Sequence, residues 1–232
     1  MFDRLRKVLN SSSKSETPPA AQQAGPLDSV AEWANHLGFA HEGFGEDKGF
    51  TISGQVAGKP FKLERGRSSR DYIRGEELRA RGELKVNDDA SVLIMNRPLK
   101  EALEKKAYQM YTDTLQTTAD PSLPEEMRWL AMYPEVGWDG VPQGFWDRYA
   151  VLADQKEQAQ QLVTAEVAEL LVSWPTPAPD DQVPFILMVL RGKSYLRMQY
   201  TPADLPTLQH ATLIFTTASK AAVAGLTADI TI

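Results

Sequence analysis

Cysteine is absent from this sequence. That removes disulfides, thiolate nucleophiles and every cysteine-ligated zinc site at once, and it fits a reducing cytoplasm. Histidine is scarce: His36, His41 and His210 stand far apart, and no two share the short spacing of a metal pair. There is no apolar run of about 18 residues, and no signal-peptide stretch of about 7 to 15 apolar residues at the start, so we expect a chain that neither spans a membrane nor is exported. Basic charge is not in excess either. The formal net charge is −6, which opposes a nucleic-acid partner, because such affinity comes largely from neutralising phosphates.

What is present is ordinary for a globular protein. Over 232 residues, 42% are hydrophobic and 24% charged, enough for one good core or two small ones. The first 26 residues differ. Asn10 to Pro26 reads NSSSKSETPPAAQQAGP, with no large apolar side chain to offset the entropy of ordering, and is expected to be a disordered linker. Ahead of it Phe2, Leu5, Val8 and Leu9 recur at helical spacing, with Asp3, Arg4, Arg6 and Lys7 on the other face. A helix so short is marginal alone in water and suits docking on a partner protein; contact of residues 2–9 with an anionic membrane is the weaker alternative, and a frayed terminus the plain one.

From Leu27 onward the pattern is that of a folded α+β region, with largely antiparallel sheet built from two hairpin regions and packed by several helices. It divides, if at all, into about 27–120 and 121–232. Val30, Trp33, Ala34 and Leu37 mark a first helix ending at Gly38. Strands are expected over Phe50 to Val56, Pro60 to Arg65, Glu77 to Lys85 and Ser91 to Met95, the first two joined across Ala57-Gly58. Helices follow from Asn96 to about Tyr111 and from about Leu123 to Tyr133. A loop rich in aromatics comes next, then one helix from about Asp154 through Leu171. Past the connector Thr176 to Asp181, the apolar run Val183 to Leu190 reads as a central strand buried on both faces. A II′-type turn at Gly192-Lys193 leads into Ser194 to Tyr200. A long helix to Gly225 and an alternating tail, Leu226 to Ile232, complete the chain, the tail as an edge strand.

Apparent enzyme motifs fail on their spacing. Gly192-Lys193-Ser194 lacks the glycine that a phosphate loop needs five positions earlier, where Leu187 stands, and a strand follows it instead of a helix. Gly43-Phe44-Gly45 with Gly49 is one residue too long for a dinucleotide fingerprint. The acid pairs Glu46-Asp47, Asp88-Asp89, Glu125-Glu126 and Asp180-Asp181 fall in turns or at a helix start, where turn chemistry and the helix dipole explain them. No catalytic residue, metal or cofactor is expected.

Two concentrations of side chains invite binding. Arg65, Arg67, Arg70, Arg74, Arg79 and Arg81 crowd into one stretch without a lysine, and guanidinium groups grip carboxylates or phosphates in bidentate fashion. Glu64, Asp71, Glu76, Glu77 and Glu83 are interleaved with them, so a solvated face of cross-strand ion pairs is the plainer explanation. Trp138, Phe145 and Trp146, with Trp129, Tyr133 and Tyr149 nearby, form either an exposed anchor or a filling between helices and sheet. The expectation is a non-enzymatic, cytoplasmic interaction or adaptor protein whose partner is another protein. The alternative is a binder of a small anionic ligand, or an enzyme without a recognisable motif, using the arginine-rich strands.

Overall fold

In the computed structural model of the chain, residues 26–45, 49–113 and 125–227 are described. The candidate docking residues Phe2, Leu5, Val8 and Leu9, the linker up to residue 25 and the acid pair Glu46-Asp47 lie outside them. In chain order the elements are α1 (Pro26–His36), β1 (Ala40–Gly43), β2 (Phe50–Val56), β3 (Lys59–Arg67), β4 (Glu76–Gly82), β5 (Ser91–Asn96), α2 (Arg97–Asp113), α3 (Glu125–Met132) and β6 (Glu135–Val136). They continue with α4 (Gln143–Arg148), β7 (Tyr149–Ala153), α5 (Lys156–Leu162), α6 (Ala165–Val172), β8 (Phe185–Leu190), β9 (Lys193–Gln199) and α7 (Leu205–Gly225).

All nine strands join one sheet in the order β1-β2-β3-β4-β9-β8-β5-β7-β6, and every pairing is antiparallel. The fold is α+β, as composition and patterning anticipate. The two hairpins share this sheet because β4 pairs with β9, which sets Arg79 opposite Arg197 across more than a hundred residues of chain. Both hairpin turns are two residues long with positive φ at each: Ala57 (50°) and Gly58 (71°), then Arg191 (51°) and Gly192 (69°). The second turn is therefore of type I′ at Arg191-Gly192 and not a II′ turn at Gly192-Lys193; its double left-handed backbone matches the twist of the flanking strands.

Strand alternation sorts the side chains onto two faces. On the first, Ile52, Phe61, Leu63, Leu78, Ala80, Leu187, Leu196 and Met198 pack beneath α1, α4, α5, α6 and α7, with Phe145, Leu208 and Phe215 closing the layer. Each of the larger side chains, Ala80 excepted, contributes about 1.5–3 kcal/mol by leaving water. The second face has a smaller core, where Leu99 and Leu103 of α2 and Met127 and Trp129 of α3 cover Leu93, Met95, Leu152, Ile186 and Met188. β5 and β8 are consequently buried on both sides, and this makes them nearly continuous apolar runs.

Several expectations need correcting. The segment after α3 is not a loop: it holds β6, α4 and the fully buried β7, whose YAVLA has no periodicity to separate strand from helix. The single helix from Asp154 to Leu171 is two, because Thr164 leaves helical geometry and its hydroxyl caps the second by accepting from the Val167 amide (3.3 Å). β4 stops at Gly82 instead of Lys85, which has a left-handed φ of 56°. Leu226 and Thr227 follow α7 as a bend, and the remainder of the tail lies outside the described residues.

Candidate functional site

The two helices of the second face cover only its β5, β7 and β8 half. Over β2, β3, β4 and β9 no described element covers that face, which forms a groove of about 700 Å3 among the described residues. Register dictates what lines it. Lys62 sits opposite Arg81 and Ser53, and Arg81 opposite Tyr195; one pleat along, Glu64 sits opposite Arg79, and Arg79 opposite Arg197. The hairpins thus place two like-charged pairs, Lys62 with Arg81 and Arg79 with Arg197, directly across neighbouring strands. Such pairs destabilise a sheet unless something else accepts their charge.

Counter-charges on the groove lining itself are fewer than the cations, while Arg197 is also met by Glu77 and Glu126 at the covered end. Four cationic side chains and two carboxylates line the groove: Lys62, Arg79, Arg81 and Arg197 against Glu64 and Glu83. Glu64 is shared between Lys62 (2.6 Å) and Arg79 (3.8 Å). Glu83 takes Arg81 through both Nε (2.9 Å) and Nη2 (2.7 Å), and these bonds hold its carboxyl below the usual glutamate range. Tyr195 and Met188 give the floor an apolar strip, and the Arg81 guanidinium lies 6.0 Å from the Tyr195 ring centre.

At its covered end the groove meets α3, where a cluster of charge is sealed in. The Glu126 side chain is 1% exposed and Glu77 has no exposure. Glu126 Oε1 accepts a hydrogen bond from the Tyr72 hydroxyl (3.0 Å) and forms ion pairs with Arg70 Nε at 2.5 Å, off the line of a good hydrogen bond, and with Arg197 Nη1 at 3.6 Å. Arg197 Nε approaches Glu77 Oε1 at 3.0 Å, off the line of a good hydrogen bond. Burial, the largest influence, opposes charge on Arg70, but Glu126, Tyr72 and Glu125 together outweigh it and raise the arginine pKa; burial first, then the Glu126 charge, raises that of the Tyr72 hydroxyl.

The six arginines of the sequence cluster are therefore dispersed. Arg79 and Arg81 face the groove, and Arg70 lies beneath α3. Arg65 is on the opposite face, stacked near Phe50 and Tyr200 and held by Glu76 through Nε (2.8 Å) and Nη2 (2.6 Å). Arg67 is exposed at the end of β3, and Arg74 lies in the exposed loop before β4, its amide donating to Gln199 Oε1 (2.9 Å). Arg197 and Lys62 enter the site from beyond the cluster. Arg197 is legible only as an outward position in the alternation Tyr195, Arg197, Gln199; its neighbours depend on a long-range pairing.

The aromatic stretch is divided in a similar way. Trp129 belongs to the core under α3, whereas Phe145 is fully buried in the first-face core and stacks edge-on with Trp146 (4.9 Å). Trp138 and Trp146 meet edge to face (5.1 Å), half-buried, in an open cleft with Arg97, Glu135 and Lys156 beside β6. Five strand spacings, about 24 Å, separate β6 from β4, so these two rings are not neighbours of Arg79 or Arg81. Among the described residues no group of acids and histidines is arranged to hold a metal, and no helix is long and apolar enough to cross a membrane.

Among the described residues these features define an antiparallel α+β sheet protein with helices over most of one face and over half of the other. No family model matches the chain, and no curated protein matches it in sequence. Among solved structures it is similar to the crystal structure of the mycobacterial trehalose monomycolate transport factor A, TtfA, at 12% sequence identity and a TM-score of 0.49, over 90% of this chain and 99% of that one.

Proposed function

We propose that the protein is a non-enzymatic, cytoplasmic adaptor that binds an acidic segment of a partner protein in the open groove of its sheet. The observation that carries this reading is the pair of like-charged cross-strand neighbours, Lys62 with Arg81 and Arg79 with Arg197, on a part of the sheet that no described helix covers. A fold selected for stability alone gains nothing from that juxtaposition, whereas a carboxylate laid between the strands relieves it. Tyr195 and Met188 offer contact to an apolar or aromatic side chain next to the acid, the type of anchor on which interfaces depend. Cytoplasmic residence is part of the same proposal and rests on the cysteine-free composition.

Fluorescence anisotropy with a labelled peptide of alternating Glu and Tyr tests the reading, with a Lys-Tyr peptide of equal length as control. The Glu-Tyr peptide is expected to bind, to weaken as salt rises, and to lose about fivefold to tenfold in affinity in Arg79→Ala or Arg81→Ala, as for a charge pair worth about 1 kcal/mol. Equal binding of both peptides, or binding unchanged by the two substitutions, would remove the groove from consideration. Displacement of the peptide by millimolar citrate would instead favour the small-anion alternative at the same arginines.

A further inference from the structure

We infer that Glu126 is an internal ligand of the same arginine row, so that an acidic partner segment and helix α3 compete for Arg197. The inference rests on the groove reading above and extends it to the mode of control. Three observations lead to it.

The open groove and the cavity of about 190 Å3 under α3 adjoin, because Met188, Tyr195 and Arg197 line both. Arg197 therefore stands at the junction, facing Arg79 on the open side and Glu126 on the covered side. What already occupies the covered end is a carboxylate on a helical turn, with Trp129 three residues on, and this is the chemistry expected of the partner at the open end.

The covered cluster is also incompletely bonded. Arg70, Tyr72 and Arg197 all converge on Oε1 of Glu126, while its buried Oε2 has no hydrogen-bond partner among the described residues. The same holds for Arg197 Nη1 and for both Glu77 oxygens as hydrogen-bond acceptors. A network so distributed leaves donors and acceptors to be gained by a modest rearrangement, the condition for two packings of similar energy.

Charge sets the direction of the change. Arg70 and Arg197 balance Glu77 and Glu126 one for one, with Glu125 reaching Arg70 at 3.8 Å. A further carboxylate arriving between Arg79 and Arg197 puts this cluster in negative surplus and weakens the hold on Glu126. α3 has only eight residues and is fixed to the sheet by Glu126, Met127 and Trp129, so loss of the ionic contact loosens the helix as a unit.

The test uses the full chain and the Glu-Tyr peptide. In Glu126→Gln, which keeps the shape and frees both arginines, the peptide is expected to bind at least about fivefold more tightly than to the wild type, the lower end of couplings between two sites. Hydrogen exchange on the wild-type protein supplies a readout independent of how well the variant folds: saturating peptide should speed amide exchange within α3, whereas ordinary packing of a ligand against a fixed helix would slow it. If the wild type binds and Glu126→Gln binds no better, or α3 exchange is unchanged or slowed, the competition is wrong and the groove reading stands. If only the variant binds, Glu126 masks the site completely and the inference is upheld. If neither binds, both fall together.

Discussion

The two faces of the sheet solve burial differently. The first face is mostly apolar from β2 to β7 and lies under five helices, with the Arg65–Glu76 pair near one end of β3 and β4; its buried polar groups are few and mostly paired, as with the Tyr149 hydroxyl, which donates to the Leu171 carbonyl (3.0 Å) and accepts from Trp174 Nε1 (3.2 Å). The second face has two helices over half its width and puts Glu77, Glu126 and Arg197 where the first has leucine and phenylalanine. Replacing a buried ionic cluster by an apolar core of equal volume is often neutral or stabilising, so stability is weak grounds for the charges on the second face. The contrast teaches that the first face holds the fold, whereas the half-open second face is the one on which the proposed binding would act.

The sharpest way to break this comparison is to damage each face in turn. Phe215 of α7 is fully buried against Phe61, with ring centres 5.8 Å apart, and Phe215→Ala should cost about 3–5 kcal/mol in urea unfolding through the cavity it leaves. Arg197→Met on the second face leaves Glu77 without its cation and should cost about 3 kcal/mol, at the low end for a broken buried pair because the arginine side chain is 20% exposed. Adding Glu77→Gln to Arg197→Met should recover part of that loss. A double variant whose cost is the plain sum of the two singles would mean that the cluster is not a coupled unit.

These residues also show how far the sequence could be read. The class of fold, both hairpins and the doubly buried β8 follow from alternation, turn dipeptides and apolar runs that act over a few residues. The split of the α5–α6 region at Thr164 and the strand β7 escape such reading, because a lone threonine and five consecutive apolar residues are compatible with several local structures. The groove is half legible. Arg79 and Arg81 stand out by composition, but their partner Arg197 is brought beside them only by the β4–β9 pairing, and the Glu125-Glu126 pair, well explained as a helix start, gives no sign that its second member is sealed against the sheet. Burial of a charge is a property of the packing, not of the local pattern.

A smaller effect distinguishes the faces by pH. His210 of α7 packs against Trp174 and places Nε2 2.7 Å from the Leu170 carbonyl. Burial lowers its pKa, and the carbonyl offsets this only in part. The unfolded chain therefore takes up this proton first as pH falls. Stability from this residue is present above the ordinary value of about 6.5 and is lost as pH drops through the lower folded value. His210→Gln should flatten the urea midpoint between about pH 7 and pH 5, before most carboxylates titrate. An identical slope in wild type and variant would show that the histidine is not held in its neutral form.

The smallest expected change in stability is the one that separates binding from folding. Arg79 faces Arg197 across the strands and has its nearest counter-ion, Glu64, at 3.8 Å, with a third of its side chain exposed. Arg79→Ala removes a repulsion together with a weak attraction, so unfolding free energy should stay within about 0.5 kcal/mol of the wild type, with the sign favouring stabilisation at low salt, where the repulsion is least screened. The same substitution should lower affinity for the Glu-Tyr peptide. If Arg79→Ala instead destabilises the protein by as much as Arg197→Met, the arginine belongs to the structural cluster and the open half of the second face is built for folding as the first one is.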